Sequence, residues 1–128
     1  MNRSAVFHRT YSEYSFATAP DRVVIRLRAA RGDLDACHIC YGDRMDSNSP
    51  IAVTREQMAV RFTDSLFDYY EAIFDPKVTR LCYYFELKKG RETTFYYNDG
   101  FFSEPDENRQ LYYNFHYIRI EDMAHVPD

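Results

Sequence analysis

Metal binding, redox exchange and nucleophilic catalysis each need particular side chains at particular spacings. The first place to look in this sequence is "CHIC". Cys37 and Cys40 there have the C-x-x-C spacing of a metal or redox pair. The flanking run "DACHICYGD" alternates as a strand does, with Cys37, Ile39 and Tyr41 on one face. Residues three apart on a strand point to opposite sides, so the two thiols cannot converge on one ion. No helix follows whose N-terminus would lower a thiol pKa. Both are expected to be buried strand cysteines. His8, His38, His116 and His125 are scattered, and none has a second ligand at helical spacing. No serine occupies a nucleophile elbow and no glycine-rich loop is present to cradle phosphate. Asp68 and Glu71 lie on one strand-like run with no partner readable from sequence. Hydrolysis of a glycosidic bond needs two carboxylates at a set separation across a cleft. The residues therefore assign no catalytic group, no metal ligand and no cofactor.

Aromatic rings remain as candidates. Tyrosine presents a flat apolar face with a polar tip, which suits stacking on a sugar while bonding its hydroxyls. The chain carries 12 Tyr and 10 Phe and no Trp, so most of these rings must be core. Each buries roughly 150–250 Å², or about 4–6 kcal/mol of gross burial at about 25 cal/mol per Å². That content drives a compact fold and excludes disorder. In "TTFYYNDGFF" rings occur at consecutive positions on both sides of a turn. Alternation forbids Phe95 and Tyr96 from entering one core, so one ring of each adjacent pair is expected outward, with Tyr84.

The elements that must position these residues are strands. "RVVIRLRAA" places Val23, Ile25, Leu27 and Ala29 on one face and Val24, Arg26 and Arg28 on the other. "TRLCYYFELKK" groups Leu81, Tyr83, Phe85 and Leu87, leaving Arg80, Tyr84, Glu86 and Lys88 outside, and "QLYYNFHYIRI" aligns Tyr113, Phe115 and Tyr117. Breaks fall at "ARGD", Asp75-Pro76, Lys89-Gly90 and Asn98-Asp99-Gly100. A polar loop is expected from about residue 44 to 64, containing one helical turn, because Thr54 and Gln57 have capping-box spacing. Seven or eight short strands separated by turns specify an all-β, immunoglobulin-like antiparallel sandwich with one wet face. The same alternation could also close a barrel around an apolar ligand.

Bulk properties bound the partners. At 128 residues the chain is one domain with a real core. A net charge of −4 with both signs interspersed argues against a nucleic-acid face. No window approaches the ~20 apolar residues of a membrane span. The N-terminus lacks the apolar stretch of a secretion signal, and three cysteines are too few for a disulfide framework, so a cytoplasmic location is expected.

In order along the chain stand "AVFH" at 5–8, "VVIRLRAARGDLDACHICYGDR" at 23–44, "FDYYEA" at 67–72, "YYFEL" at 83–87, "DGFF" at 99–102 and "NFHYIRIEDM" at 114–123. This series resembles the N-terminal domain of the cyclomaltodextrinase, neopullulanase and maltogenic amylase group of the alpha-amylase superfamily, also classed as carbohydrate-binding module family 34. The resemblance implies an immunoglobulin-like sandwich over residues 1–128, followed in the same polypeptide by a catalytic barrel that this chain lacks. It implies no catalytic residue here. It further implies pairing into a homodimer in which the domain narrows the partner's cleft, favouring small α-glucans and cyclodextrins. The parent would cleave α-1,4 glucosidic links in cyclodextrins, maltooligosaccharides or pullulan, with α-1,6 links as the alternative. The turn after "Y-x-D-R" resembles the partner-facing edge, which makes Asp43, Arg44 and Met45 contact candidates for carbohydrate or partner. Met45 stands where an aromatic can stand in that family, and offers a sugar packing area but no stacking plane. Tyr96 and Phe101 join them as outward rings, read first as interface residues. The alternative implied is a free-standing α-glucan-binding module.

Overall fold

The regular structure of the protein, a computed structural model that describes residues 1–106 and 108–116, is almost entirely strand. In chain order the strands are β1 (Ser15–Ala19), β2 (Arg22–Ala30), β3 (Ala36–Asp43), β4 (Thr54–Gln57) and β5 (Ala59–Thr63). Then follow β6 (Phe67–Phe74), β7 (Arg80–Lys89), β8 (Glu92–Tyr97), β9 (Gly100–Phe102) and β10 (Tyr113–His116). One antiparallel sheet has the order β1-β2-β6-β5. The other has the order β4-β3-β7-β8-β9, and β7 also carries β10. Along one side β7 pairs with β3; along the other it pairs with β8 beyond Phe85 and with β10 over Arg80 to Tyr83. This is the expected immunoglobulin-like sandwich, with more strands than turn signals alone suggest. Tyr117 and His125 lie outside the described residues, as does the end of the "NFHYIRIEDM" run. Among the described residues no helix is long and apolar enough to cross a membrane.

Two-residue periodicity works as read on the long central strands. Val23, Ile25, Leu27 and Ala29 of β2 meet Leu81, Tyr83, Phe85 and Leu87 of β7 in one core, joined by Cys37 and Ile39 of β3. Among the described residues the strands form two separate sheets whose side chains meet in one core, not a closed barrel. The hairpins close where expected. Gly90 follows β7 at φ +58° and Gly100 follows Asn98-Asp99 at φ +126°, conformations open to glycine.

Two expectations are corrected. The segment 54–63 holds no helical turn; it forms β4 and β5, which belong to different sheets. Thr54 and Gln57 face Tyr41 and His38 of β3, so the backbone groups of this segment are satisfied by a ladder and not by a cap. Between the two strands Met58 is buried, and its N–H donates to the Cys37 carbonyl at 2.8 Å as the chain changes sheet. The second correction concerns the face of the six-stranded sheet away from the sandwich core. It is wet only in part. Arg55, Glu86 and Lys88 form exposed ion pairs at one end, while Cys40, Cys82, Tyr84 and Tyr97 form a second apolar cluster at the other, joined by Ile51 and Tyr112 from outside the strands. Tyr84, expected outside, is buried, stacked on Tyr97 with ring centroids 4.7 Å apart and edge-on to Tyr112 at 5.2 Å.

The other wet face belongs to the four-stranded sheet. There the Arg28 guanidinium lies 4.1 Å from the Phe67 ring centroid and Arg26 lies 5.1 Å from that of Phe16. Glu71 accepts a hydrogen bond from Arg26 Nε at 2.8 Å and approaches Arg61 at 3.8 Å. Asp68 accepts from Thr63 Oγ1 at 2.7 Å and from the Gly32 N–H at 2.8 Å. The partners missing from the sequence reading of both carboxylates are thus cross-strand and turn neighbours.

Candidate functional site

Asp43 closes β3 and begins a turn whose shape its own carboxylate sets. Its Oδ1 accepts the Met45 N–H at 2.9 Å, and its carbonyl accepts the Asp46 N–H at 3.0 Å. Asp46 then holds the following loop, with Oδ1 accepting from the Asn48 N–H at 3.0 Å and Oδ2 from the Ala52 N–H at 3.0 Å. Asx turns of this kind fix a corner without secondary structure. Met45 stands at its tip, 66% exposed. Arg44 is tied to the sheet by its N–H, which donates to the Arg80 carbonyl at 2.8 Å.

A cleft of about 210 Å³ opens beside this corner, lined by Tyr11, Arg44, Arg80, Asn114, Phe115 and His116 among others. Tyr11 is 63% exposed and adopts φ +54°, an uncommon state for a residue with a side chain. Its ring stacks on Phe115 with centroids 5.0 Å apart and planes 19° from parallel, and its hydroxyl accepts the His116 N–H at 2.8 Å. Both contacts hold the ring at the rim. Asn114 donates its side-chain amide to the Tyr112 carbonyl at 3.1 Å, which leaves the amide oxygen as an acceptor.

The five sequence-predicted site residues do not form one group. Asp43 pairs with Leu81, whereas Tyr96 pairs with Phe85, four residues further along β7 and so about 13 Å away at the rise of a strand. Tyr96 and Phe101 both turn inward, packing half-buried against the sandwich core with their rings 4.8 Å apart. Tyr96 also lies against Phe85 and Tyr113. Their neighbours Phe95, Tyr97 and Phe102 enter the outer cluster instead. The outward rings expected from "TTFYYNDGFF" are therefore absorbed on both faces by this chain's own segments. Tyr11, Arg80, Asn114 and His116 were missed by sequence reasoning. Nothing in "HRTYSEY" announces a left-handed tyrosine, since no Gly, Asn or Asp occupies the position.

The thiols are separated as strand geometry requires. Cys37 enters the sandwich core, where burial raises its pKa well above the ordinary range, and Cys40 enters the outer cluster, where burial pushes it up to about 11.

Comparison with known proteins places this geometry in context. The family model described as "Alpha amylase, N-terminal ig-like domain" matches residues 1–119. A maltogenic alpha-amylase of Bacillus acidopullulyticus is 30% identical over the whole of this chain and 22% of its own length. A cyclomaltodextrinase of Geobacillus thermopakistaniensis is likewise 30% identical, again over 100% of this chain and 22% of its own. The solved structure of a cyclomaltodextrinase superposes with a TM-score of 0.85 at 28% identity, covering 93% of this chain and 20% of that one. The chain thus spans about a fifth of the length of the curated relatives it matches.

Proposed function

Because the chain belongs to the family of alpha-amylase N-terminal Ig-like domains, we propose that it is the non-catalytic N-terminal domain of an enzyme hydrolysing α-glucans. In this reading its tasks are dimerisation and shaping of the substrate cleft. A catalytic barrel follows in the same polypeptide, a second subunit supplies the dimer partner, and the parent cleaves α-1,4 or α-1,6 glucosidic bonds in the cytoplasm. Cys37, Cys40 and Cys82 are buried and none is in a disulfide, which accords with that compartment.

The observation that carries the reading is the Met45 corner. An exposed apolar side chain held on a turn by two aspartates is preorganised to meet another surface, which lowers the entropic cost of contact. A thioether side chain packs against varied shapes, including the apolar face of a sugar at the edge of a partner's cleft.

Replacing Met45 by Arg in the parent enzyme tests this. The side chain is exposed, so thermal stability should move by no more than about 0.5 kcal/mol. The ratio of kcat/KM for β-cyclodextrin to that for soluble starch should fall several-fold. An unchanged ratio with an unchanged dimer would remove Met45 from any role at the cleft.

A further inference from the structure

We propose that the outward face of the four-stranded sheet docks against an acidic area on the remainder of the parent enzyme, with Arg28 as its anchor. The partner's place in that enzyme rests on the function proposed above; the face itself is read from its residues. Strand pairing carries two rows of large side chains across the sheet. Phe16, Val24 and Ile73 stand opposite one another on β1, β2 and β6, and Arg28, Tyr69 and Phe62 do so on β2, β6 and β5. The solvated face of an antiparallel sheet ordinarily reads as polar. Here Phe62 is 50% and Ile73 52% exposed, and Val24 is buried between its neighbours. Phe62 stacks on Tyr69 with centroids 4.3 Å apart, which fixes both rings before a partner arrives.

Charge decides what kind of surface fits. The chain carries −4 overall, yet Arg26, Arg28 and Arg61 bring three guanidinium groups to this face. Glu71 answers Arg26 and Arg61. Asp64, at the corner, is engaged by the Leu66 and Phe67 N–H groups and by the Tyr69 hydroxyl. Arg28 forms no ion pair among the described residues. Its Nε donates to the Ala5 carbonyl at 3.0 Å, and its guanidinium lies over the Phe7 and Phe67 rings at 5.2 and 4.1 Å from their centroids. The group is thus held in place with its two terminal nitrogens uncommitted, the fork that receives a carboxylate. Two copies of this chain meeting by this face would set their guanidinium groups against each other, so a second copy fits poorly. Because the chain spans about a fifth of its curated relatives, most of such an enzyme lies outside it, and the acidic area is assigned there. The Met45 corner follows β3 of the other sheet, so the two contacts are distinct.

The test compares hydroxyl-radical labelling of side chains in the 128-residue chain and in the parent enzyme. Phe62 and Tyr69 should label readily in the 128-residue chain and several-fold more slowly in the parent. Arg28→Glu in the parent should restore fast labelling. Ile73→Lys, which removes none of the hydrogen bonds described, should do the same and serves where Arg28→Glu weakens the fold; thermal melts of both variants check this. Fast labelling of these rings in the unaltered parent would overturn the docking face, as would protection that survives both substitutions. Release by Ile73→Lys but not by a folded Arg28→Glu would overturn Arg28 as the anchor. Protection that grows with the concentration of the 128-residue chain alone would overturn the occupant in favour of a second copy. None of these results touches the function proposed above, whose own failure would show as a dimer that persists without residues 1–128.

Discussion

His8 ties the N-terminal segment to both sheets. Its Nδ1 lies 2.7 Å from the Arg26 carbonyl, which can only accept, so this nitrogen carries the proton. Its Nε2 is 2.7 Å from the Tyr83 hydroxyl and must then accept from it, which makes Ser15 Oγ, 3.1 Å further on, the donor to Tyr83. Rings of Tyr14, Tyr83, Phe85 and Tyr113 surround the imidazole. Burial holds its pKa down, from 6.5 to about 4, against the opposing pull of the Arg26 carbonyl. Between those values the unfolded chain binds a proton that the folded chain refuses. Stability from this residue is therefore complete above pH 6.5 and is lost as the pH falls toward 4, by about 3 kcal/mol in all. Denaturant titrations at a series of pH values, comparing the parent chain with His8→Gln, should show a shallower acid slope in the variant. Equal slopes would contradict the neutral buried imidazole.

At the scale of elements, the outer cluster depends on how closely its roof approaches β3. A methyl group added at Gly42 would overlap the Ala52 carbonyl oxygen and press on Ile51 Cγ2. Ile51 is itself part of the cluster, with Cys40, Tyr84 and Tyr97. Gly42→Ala should therefore destabilise the chain by about 1–3 kcal/mol, as overpacking does. Its urea midpoint should drop, and near-ultraviolet circular dichroism should report disturbed tyrosines; an unchanged midpoint would mean the roof is not seated on the sheet. This layer also marks the limit of what could be read from the sequence. The central strands were legible because Val23, Ile25 and Leu27 alternate with Val24, Arg26 and Arg28, and one buried face leaves that imprint. Tyr84 was misplaced because a sheet covered on both faces puts apolar residues at successive positions, as in "LCYYF", and parity then cannot say which cover is missing. β5 was illegible for the opposite reason: every residue from Ala59 to Thr63 is exposed, so burial imposes no pattern on it. The Asp43–Met45 corner was found through resemblance, and Tyr11 could not be, because the cleft is assembled from residues about a hundred positions apart.

Over the whole molecule, one face of the six-stranded sheet enters the sandwich core and part of the other is covered by the second apolar cluster. Among the described residues, surfaces open to others include the Arg-and-aromatic face of the four-stranded sheet, with Phe62 and Ile73 half-exposed, and the end of the sandwich where Met45 and Tyr11 stand. Arginine beside aromatic rings is the composition enriched at protein interfaces. A domain of this kind acts through what it touches, and the chain covers about a fifth of its curated relatives. The most direct measurement is sedimentation velocity of the parent enzyme with and without residues 1–128. The proposed function predicts a dimer for the intact enzyme and a monomer, still folded, for the shortened form. A shortened enzyme that remains dimeric at the same concentration would contradict it.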